Sequence, residues 1–234
     1  MEYALAVLIG YLFGCSNMAY YVSKFKKIDL SKTGSGNLGT SNTVTEVGLK
    51  AGLLAFFHDV FKAVIAILLV QLLFSDVEFI GHVTGFSCIL GHIFPFYNKF
   101  KGGKGFATYV GVVYTLEPVL ALILTPIVIA IILFTDYIIS GSFAVSIAFS
   151  IFLFAFGQWQ AGILSIIVLI VMFFKHLINF KRILNGTEKG VLEGLMKKKP
   201  KAEATSGSSS QPIPAEPIEN ADETAENSDT GASN

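Results

Sequence analysis

Between two strongly apolar segments the chain carries His92–Thr108, HIFPFYNKFKGGKGFAT, which holds three lysines, three glycines and a histidine. Gly102, Gly103 and Gly105 surround Lys104, and Phe106 opens another apolar run. Glycine has no Cβ, so its backbone N–H can turn towards a ligand and approach it closely. Successive inward N–H groups at a helix start, with one fixed ammonium, suit a phosphate. The pattern G-x-x-x-x-G-K-[ST] is absent, since neither Gly105 nor Phe106 after Lys104 supplies the magnesium-binding hydroxyl, so that nucleotide loop is excluded. A Gly-rich turn whose lysines mark a cytoplasmic membrane edge fits the same residues equally well.

Two further polar stretches could do chemistry. The first runs from Asp29 through TGSGNLGTSN to Gly48. Gly34, Gly36 and Gly39 give it a permissive backbone, and Ser35, Asn37, Thr40, Ser41 and Asn42 supply short polar side chains. A plain polar turn, with Ser41 or Asn42 as N-cap of the following helix, explains its end but not the dense GSGN. The second is HLINFKRILNGTE, His176–Glu188. His176 and Asn179 are three apart and share a helix face, which Arg182 extends. Gly186 is the expected helix stop, followed by Glu188. Interfacial anchoring is the competing reading of this stretch.

The elements that must position these stretches are apolar helices. Hydrophobic residues make up 53% of the 234-residue chain, and they come in long blocks, which implies an integral membrane protein. The blocks run approximately Tyr3–Val22, Leu49–Phe74, Phe79–Tyr97, Phe106–Leu116, Val119–Phe134, Tyr137–Phe156 and Ile163–Phe174. The fold class expected is an all-α membrane protein with about seven transmembrane helices. A span needs roughly 20 residues, so the fourth and seventh blocks must borrow polar neighbours shielded by protein. Lys24, Lys26, Lys27 and Lys32 follow the first block; Lys99, Lys101 and Lys104 follow the third; Lys175, Lys181, Arg182 and Lys189 follow the seventh. The connections Ser75–Glu78, Glu117–Pro118 and Gly157–Gln160 carry no lysine or arginine. The N-terminus is therefore expected outside and the C-terminus in the cytoplasm, with all three polar stretches on the cytoplasmic face. The opening MEYALAVLIG lacks a basic region and reads as a retained helix.

Two domains are expected: a membrane domain over 1–196 and a disordered, acidic cytoplasmic tail over 197–234, whose sequence cannot bury enough apolar area to order itself. Lys197–Lys199 at its start suit anionic headgroups. Cys15 and Cys88 both lie in apolar segments and read as free thiols. The four histidines lack metal-ligand spacing. No metal, cofactor or nucleic acid is expected. His58, Asp59 and Lys62 lie inside the second apolar block; they read either as a simple Asp59–Lys62 pair or as groups near the site. His82, Glu117 and Trp159 read as packing or interfacial residues.

GSGNLGTSN, GHIFPFYNKFKGGKGFAT and HLINFKRILNGTE, in this order and on one side, resemble the bacterial acyl-phosphate:glycerol-3-phosphate acyltransferase (PlsY) family. Its patterns are GSGNxGATNxxR, GHxFPxFxxFxGGKGxAT and HxxNIxRLxxGxE, and the resemblance covers residues 1 to about 195. The first pattern departs at Thr45, where the family has a phosphate-binding arginine; Lys50 and Arg182 are candidates to supply that charge. The resemblance implies transfer of a fatty acyl group from acyl phosphate to the sn-1 hydroxyl of glycerol 3-phosphate, giving lysophosphatidic acid and phosphate. It implies catalytic roles for Ser35, Lys104, His176 and Asn179. Gly34, Gly36, Asn37, Gly102, Gly103, Gly105 and Arg182 would bind substrate or phosphate, and Glu188 would hold the helix end. It further implies a bacterial inner-membrane location and a link to the enzyme that makes acyl phosphate. A same-scaffold paralogue with an altered acceptor, or none, and a membrane transporter are the rival readings.

Overall fold

The computed structural model describes residues 1–191; the expected acidic tail and Lys197–Lys199 lie outside the described residues. Among the described residues all regular structure is helical: α1 Glu2–Cys15, α2 Met18–Lys26, α3 Thr40–Val47, α4 Leu49–Leu73, α5 Ile80–Ile93, a 3₁₀ turn Phe96–Asn98, α6 Phe106–Leu116, α7 Pro118–Thr135, α8 Ile138–Ala155 and α9 Trp159–Leu184. Among the described residues five stretches are long and apolar enough to cross a membrane: Glu2–Lys26, α4, α7, α8 and α9.

Of the seven expected blocks, two form helices shorter than a span requires. α5 has 14 residues, about 21 Å against a hydrocarbon core about 30 Å thick. α6 has 11. Pro95 stops α5 early, because it has no N–H and disfavours helical geometry at Phe94. α5 compensates by burial: 11 of its 14 residues are buried, and it packs against α1, α4, α6 and α9. Glycines allow the closest of these contacts. A Cβ at Gly14 would lie 2.0 Å from Cys88 O, one at Gly10 2.3 Å from Thr84 O, and one at Gly91 2.2 Å from Tyr11 O. Gly10 and Gly14 form the small-xxx-small pattern that lets membrane helices approach at backbone distance.

The first block is not one helix. It breaks between α1 and α2, where Asn17 caps α2 by accepting from Tyr20 N at 2.9 Å and donates Nδ2 to Leu38 O at 3.0 Å. The carbonyls freed by the break are recovered by distant side chains: Tyr97 Oη donates to Cys15 O at 2.6 Å and Lys62 Nζ to Ser16 O at 2.8 Å. Unsatisfied backbone is costly in lipid, so these partners are what make the break tolerable. The seventh block extends further than its apolar run. α9 has 26 residues and carries His176 and Asn179 on a buried face. Cys15 and Cys88 are buried free thiols.

Candidate active site

The first glycine loop is organised by Asn42, which is 3% exposed. Its Oδ1 accepts from Ser35 N at 2.8 Å; its Nδ2 donates to Leu30 O at 2.9 Å and Thr33 O at 3.2 Å. Ser41 and Asn42 therefore do not cap the second apolar block. They lie inside α3, whose N-cap is Gly39, and α4 starts only after Gly48. The reversal of the chain uses left-handed backbone at Gly34 (φ +58°) and Gly36 (φ +71°), where a side chain would be strained. Ser35 is thus fixed through its main chain, while Asn37 Nδ2 would lie 2.7 Å from a Cβ at Gly39.

The second loop folds back on the end of α5. Gly102 N donates to Ile93 O and Gly103 N to His92 O, both at 3.1 Å. In this conformation those two amides close the loop onto the helix. The donors that helix geometry leaves outward are those of the first turn of α6, entered through Gly105 at φ +96°. A Cβ at Gly103 would lie 3.0 Å from Leu38 O, so the two glycine loops touch. Lys175 adds a further tie, its ammonium 4.3 Å from the Phe94 ring centroid, a cation–π contact between α9 and this loop.

Lys104 joins the second loop to the third stretch. Its Nζ donates to Asn179 Oδ1 at 2.5 Å, and Asn179 Nδ2 donates to Glu188 Oε1 at 2.5 Å. The cation on one side and the carboxylate on the other fix the amide's orientation. Glu188 reaches back because α9 ends in a glycine turn: Gly186 has φ +66°, and Thr187 N and Glu188 N both donate to Arg182 O. The expected stop at Gly186 is the observed one. Burial pushes the Lys104 ammonium down to about 8, with Glu188 opposing the shift and nearby Arg182 adding to it. Arg182 is thereby placed beside Lys104, whereas Lys50 is exposed in the first turn of α4. Thr45 turns inward on its own helix, donating to Ser41 O at 3.1 Å.

His176 is 3% exposed and packs edge-on against Phe143 at 5.4 Å. Its Nδ1 lies 2.8 Å from Met172 O. A carbonyl can only accept, so Nδ1 carries the proton and Nε2 presents a lone pair. The structure brings Lys104, His176, Asn179, Arg182 and Glu188 into one cluster. Among the described residues no hydrogen bond joins Ser35 or Asn37 to them. Asp59 and Lys62 do pair, at 2.8 Å, and two buried hydroxyls, Thr40 Oγ1 and Thr108 Oγ1, have no hydrogen-bond partner among the described residues. Sequence spacing could not have joined Lys104 to Asn179, which are 75 residues apart.

Beside this polar cluster lies an apolar cavity of about 450 Å³ between α4, α6, α7 and α8, lined by Phe57, Val60, Phe61, Phe106, Val110 and Leu124 among others. Phe106 is the second residue after Lys104, so the cavity begins next to the loop.

Residues 4–186 match the family model described as glycerol-3-phosphate acyltransferase. A glycerol-3-phosphate acyltransferase of Thermoanaerobacter pseudethanolicus is 40% identical over 190 residues, covering 80% of this chain and 95% of that protein. Glycerol-3-phosphate acyltransferase 2 of Bacillus anthracis is 37% identical over 189 residues, covering 80% and 98%. Among solved structures, PlsY (YgiH), an integral membrane glycerol 3-phosphate acyltransferase, superposes in its glycerol 3-phosphate form with a TM-score of 0.76. That match has 32% identity and covers 84% of this chain and 100% of that one; the lysophosphatidic acid form gives 0.73. With the family model matching residues 4–186 and a solved structure of that type superposing over 84% of the chain, the chain belongs to the glycerol-3-phosphate acyltransferase family, the integral membrane PlsY type.

Proposed function

We propose that the chain transfers a fatty acyl group from acyl phosphate to the sn-1 hydroxyl of glycerol 3-phosphate, at the cytoplasmic face of a bacterial cell membrane. The observation that carries this reading is the Lys104–Asn179–Glu188 chain beside His176 and the start of α6. It unites a buried cation, a neutral base and helix-start donors next to an apolar cavity. The acyl tail lies in that cavity, which sets its carbonyl and phosphate against Phe106 and Lys104. His176 Nε2 takes the proton of the sn-1 hydroxyl as its oxygen attacks the acyl carbonyl. Ser35 and Asn37 face the developing oxyanion. Lys104, Gly105 and the first-turn amides of α6 hold the phosphate as it leaves. An acyl phosphate is already an activated mixed anhydride, so no acyl-enzyme is needed.

The acceptor is a dianion, and Arg182 supplies the charge that Thr45 does not. The seven apolar helices cross with the N-terminus outside and the C-terminus inside, α5 and α6 being short crossings shielded by their neighbours. This orientation follows from the placement of lysine and arginine, and it puts the site where soluble glycerol 3-phosphate arrives. Acyl phosphate comes from the enzyme that makes it, and the tail, 197–234, stands apart from catalysis.

The test is lysophosphatidic acid formation by the purified chain in lipid. Product that requires both substrates is the expected result. Preferential transfer to another alcohol, or phosphate release independent of acceptor, would overturn the acceptor assignment. Losing a charge-assisted contact of about 1.5–3 kcal/mol corresponds to roughly one to two decades in affinity. Arg182→Ala should therefore raise the KM for glycerol 3-phosphate by that factor, and Thr45→Arg should lower it.

A further inference from the structure

Lys62 and Asp59 lie in mid-α4 with side chains only 3% and 1% exposed. An ammonium has three donors and no acceptor, and three acceptors surround Nζ at 2.8 Å each: Asp59 Oδ1, Ser16 O and His92 Nδ1. Because the ammonium cannot accept, His92 Nδ1 must, and the ring proton then resides on Nε2. Nδ1 is farther from the carboxylate, 3.5 Å from Asp59 Oδ1.

That Nε2 faces the second glycine loop. A Cβ at Gly103 would lie 2.0 Å from His92 Nε2 and 3.0 Å from Leu38 O of the first loop. His92 O also accepts from Gly103 N, so the same residue holds Gly103 by its main chain and packs its ring against it. Leu38 O is held in turn by Asn17, the neighbour of Ser16 at the α1–α2 break. One buried ammonium therefore ties the helix break to the seam between both loops. Capping Ser16 O accounts for one of these bonds, but a buried ion pair is often replaceable by apolar groups at no cost, so stability alone does not explain why Asp59, Lys62 and His92 are grouped. Ionisable groups at membrane depth instead mark function.

We propose that Asp59, Lys62 and His92 are positioning residues for acyl transfer: Lys62 holds His92 as the Nε2–H tautomer, and that ring sets Gly103 against Leu38 where the two glycine loops meet. The inference rests on the reading of those loops as the acyl phosphate site.

The experiment uses the full chain in lipid nanodiscs, with palmitoyl phosphate and glycerol 3-phosphate as substrates. His92→Gln places an amide near the former Nε2 position, and His92→Asn places one near Nδ1. His92→Asn should lower kcat/KM for palmitoyl phosphate at least tenfold with its unfolding temperature kept, and His92→Gln should stay within threefold of the wild type. Equal activities in the two variants, at any level, or the reverse order, overturn the proposal. Ring ¹⁵N NMR of the wild type tests the tautomer without any substitution. Nε2–H is expected at His92 among the four histidines, and Nδ1–H would overturn it. A wild type that makes no lysophosphatidic acid would count against the proposed function, while the tautomer result would still decide the Lys62–His92 link.

Discussion

Lys104 holds a positive charge where burial opposes it, and its value near 8 gives pH two opposite effects. On the proposed function the charged form binds phosphate, so kcat/KM for acyl phosphate should be level below pH 8 and fall about tenfold per unit above it. Lys104→Arg keeps its charge over this range and should remove that alkaline limb. Stability runs the other way. The unfolded lysine titrates near 10.5, so between about 8 and 10.5 the unfolded chain binds more protons and folding stability rises with pH. Thermal unfolding of the wild type beside Lys104→Met, as a function of pH, checks the sign. Asn42 makes a second residue-scale case. Asn42→Ala would strip the partner from Ser35 N and the Asn42 bond from Leu30 O, while Thr33 O keeps Gly36 N, and each buried group left unpaired costs about 1–3 kcal/mol. Faster proteolysis in 29–39 and a lower unfolding temperature are the expected readouts.

At the α1–α5 seam a single added methyl meets backbone. Gly14→Ala would set a Cβ 2.0 Å from Cys88 O, against backbone that cannot rotate away. Overpacking of this kind costs about 1–3 kcal/mol or more, measurable by thermal unfolding in detergent. The pattern behind it was legible in GYLFG, and reading the apolar blocks only for length misses it. α6 was legible to the residue because Gly105 and Glu117–Pro118 bracket it. The α1–α2 break was not, since Asn17 sits in an apolar run and its meaning comes from Leu38, Tyr97 and Lys62, remote partners that no local pattern reveals. The site divides in the same way. Sequence singles out Lys104, His176, Asn179 and Glu188 by type, and Gly186 marks the turn that brings Glu188 back. It leaves unseen the Lys104–Asn179 bond, the engagement of Gly102 and Gly103 N–H by α5, and the three acceptors around Lys62. These arise from elements distant in sequence meeting in space.

Taken whole, the described residues divide between a lipid-facing exterior and a polar interior running from Ser16 to Glu188. α7 buries only Ala121 and Val128, whereas the buried polar side chains of the proposed site come from α4, α5, the Lys104 loop and α9. Removing 197–234 should therefore leave acyl transfer within about twofold of the full chain, an outcome read by the same product assay. The burial of α5 bears also on how such a chain enters its membrane. A short helix carrying Thr84, Ser87 and His92 partitions poorly into bare lipid, and its glycines gain nothing until a partner backbone lies against them. During synthesis α5 must therefore wait beside the insertion machinery, or leave it already docked on α1 and α4, while α7 and α8 can enter lipid on their own hydrophobicity. A helix that borders the proposed site is thus one whose insertion depends on the segments made before it.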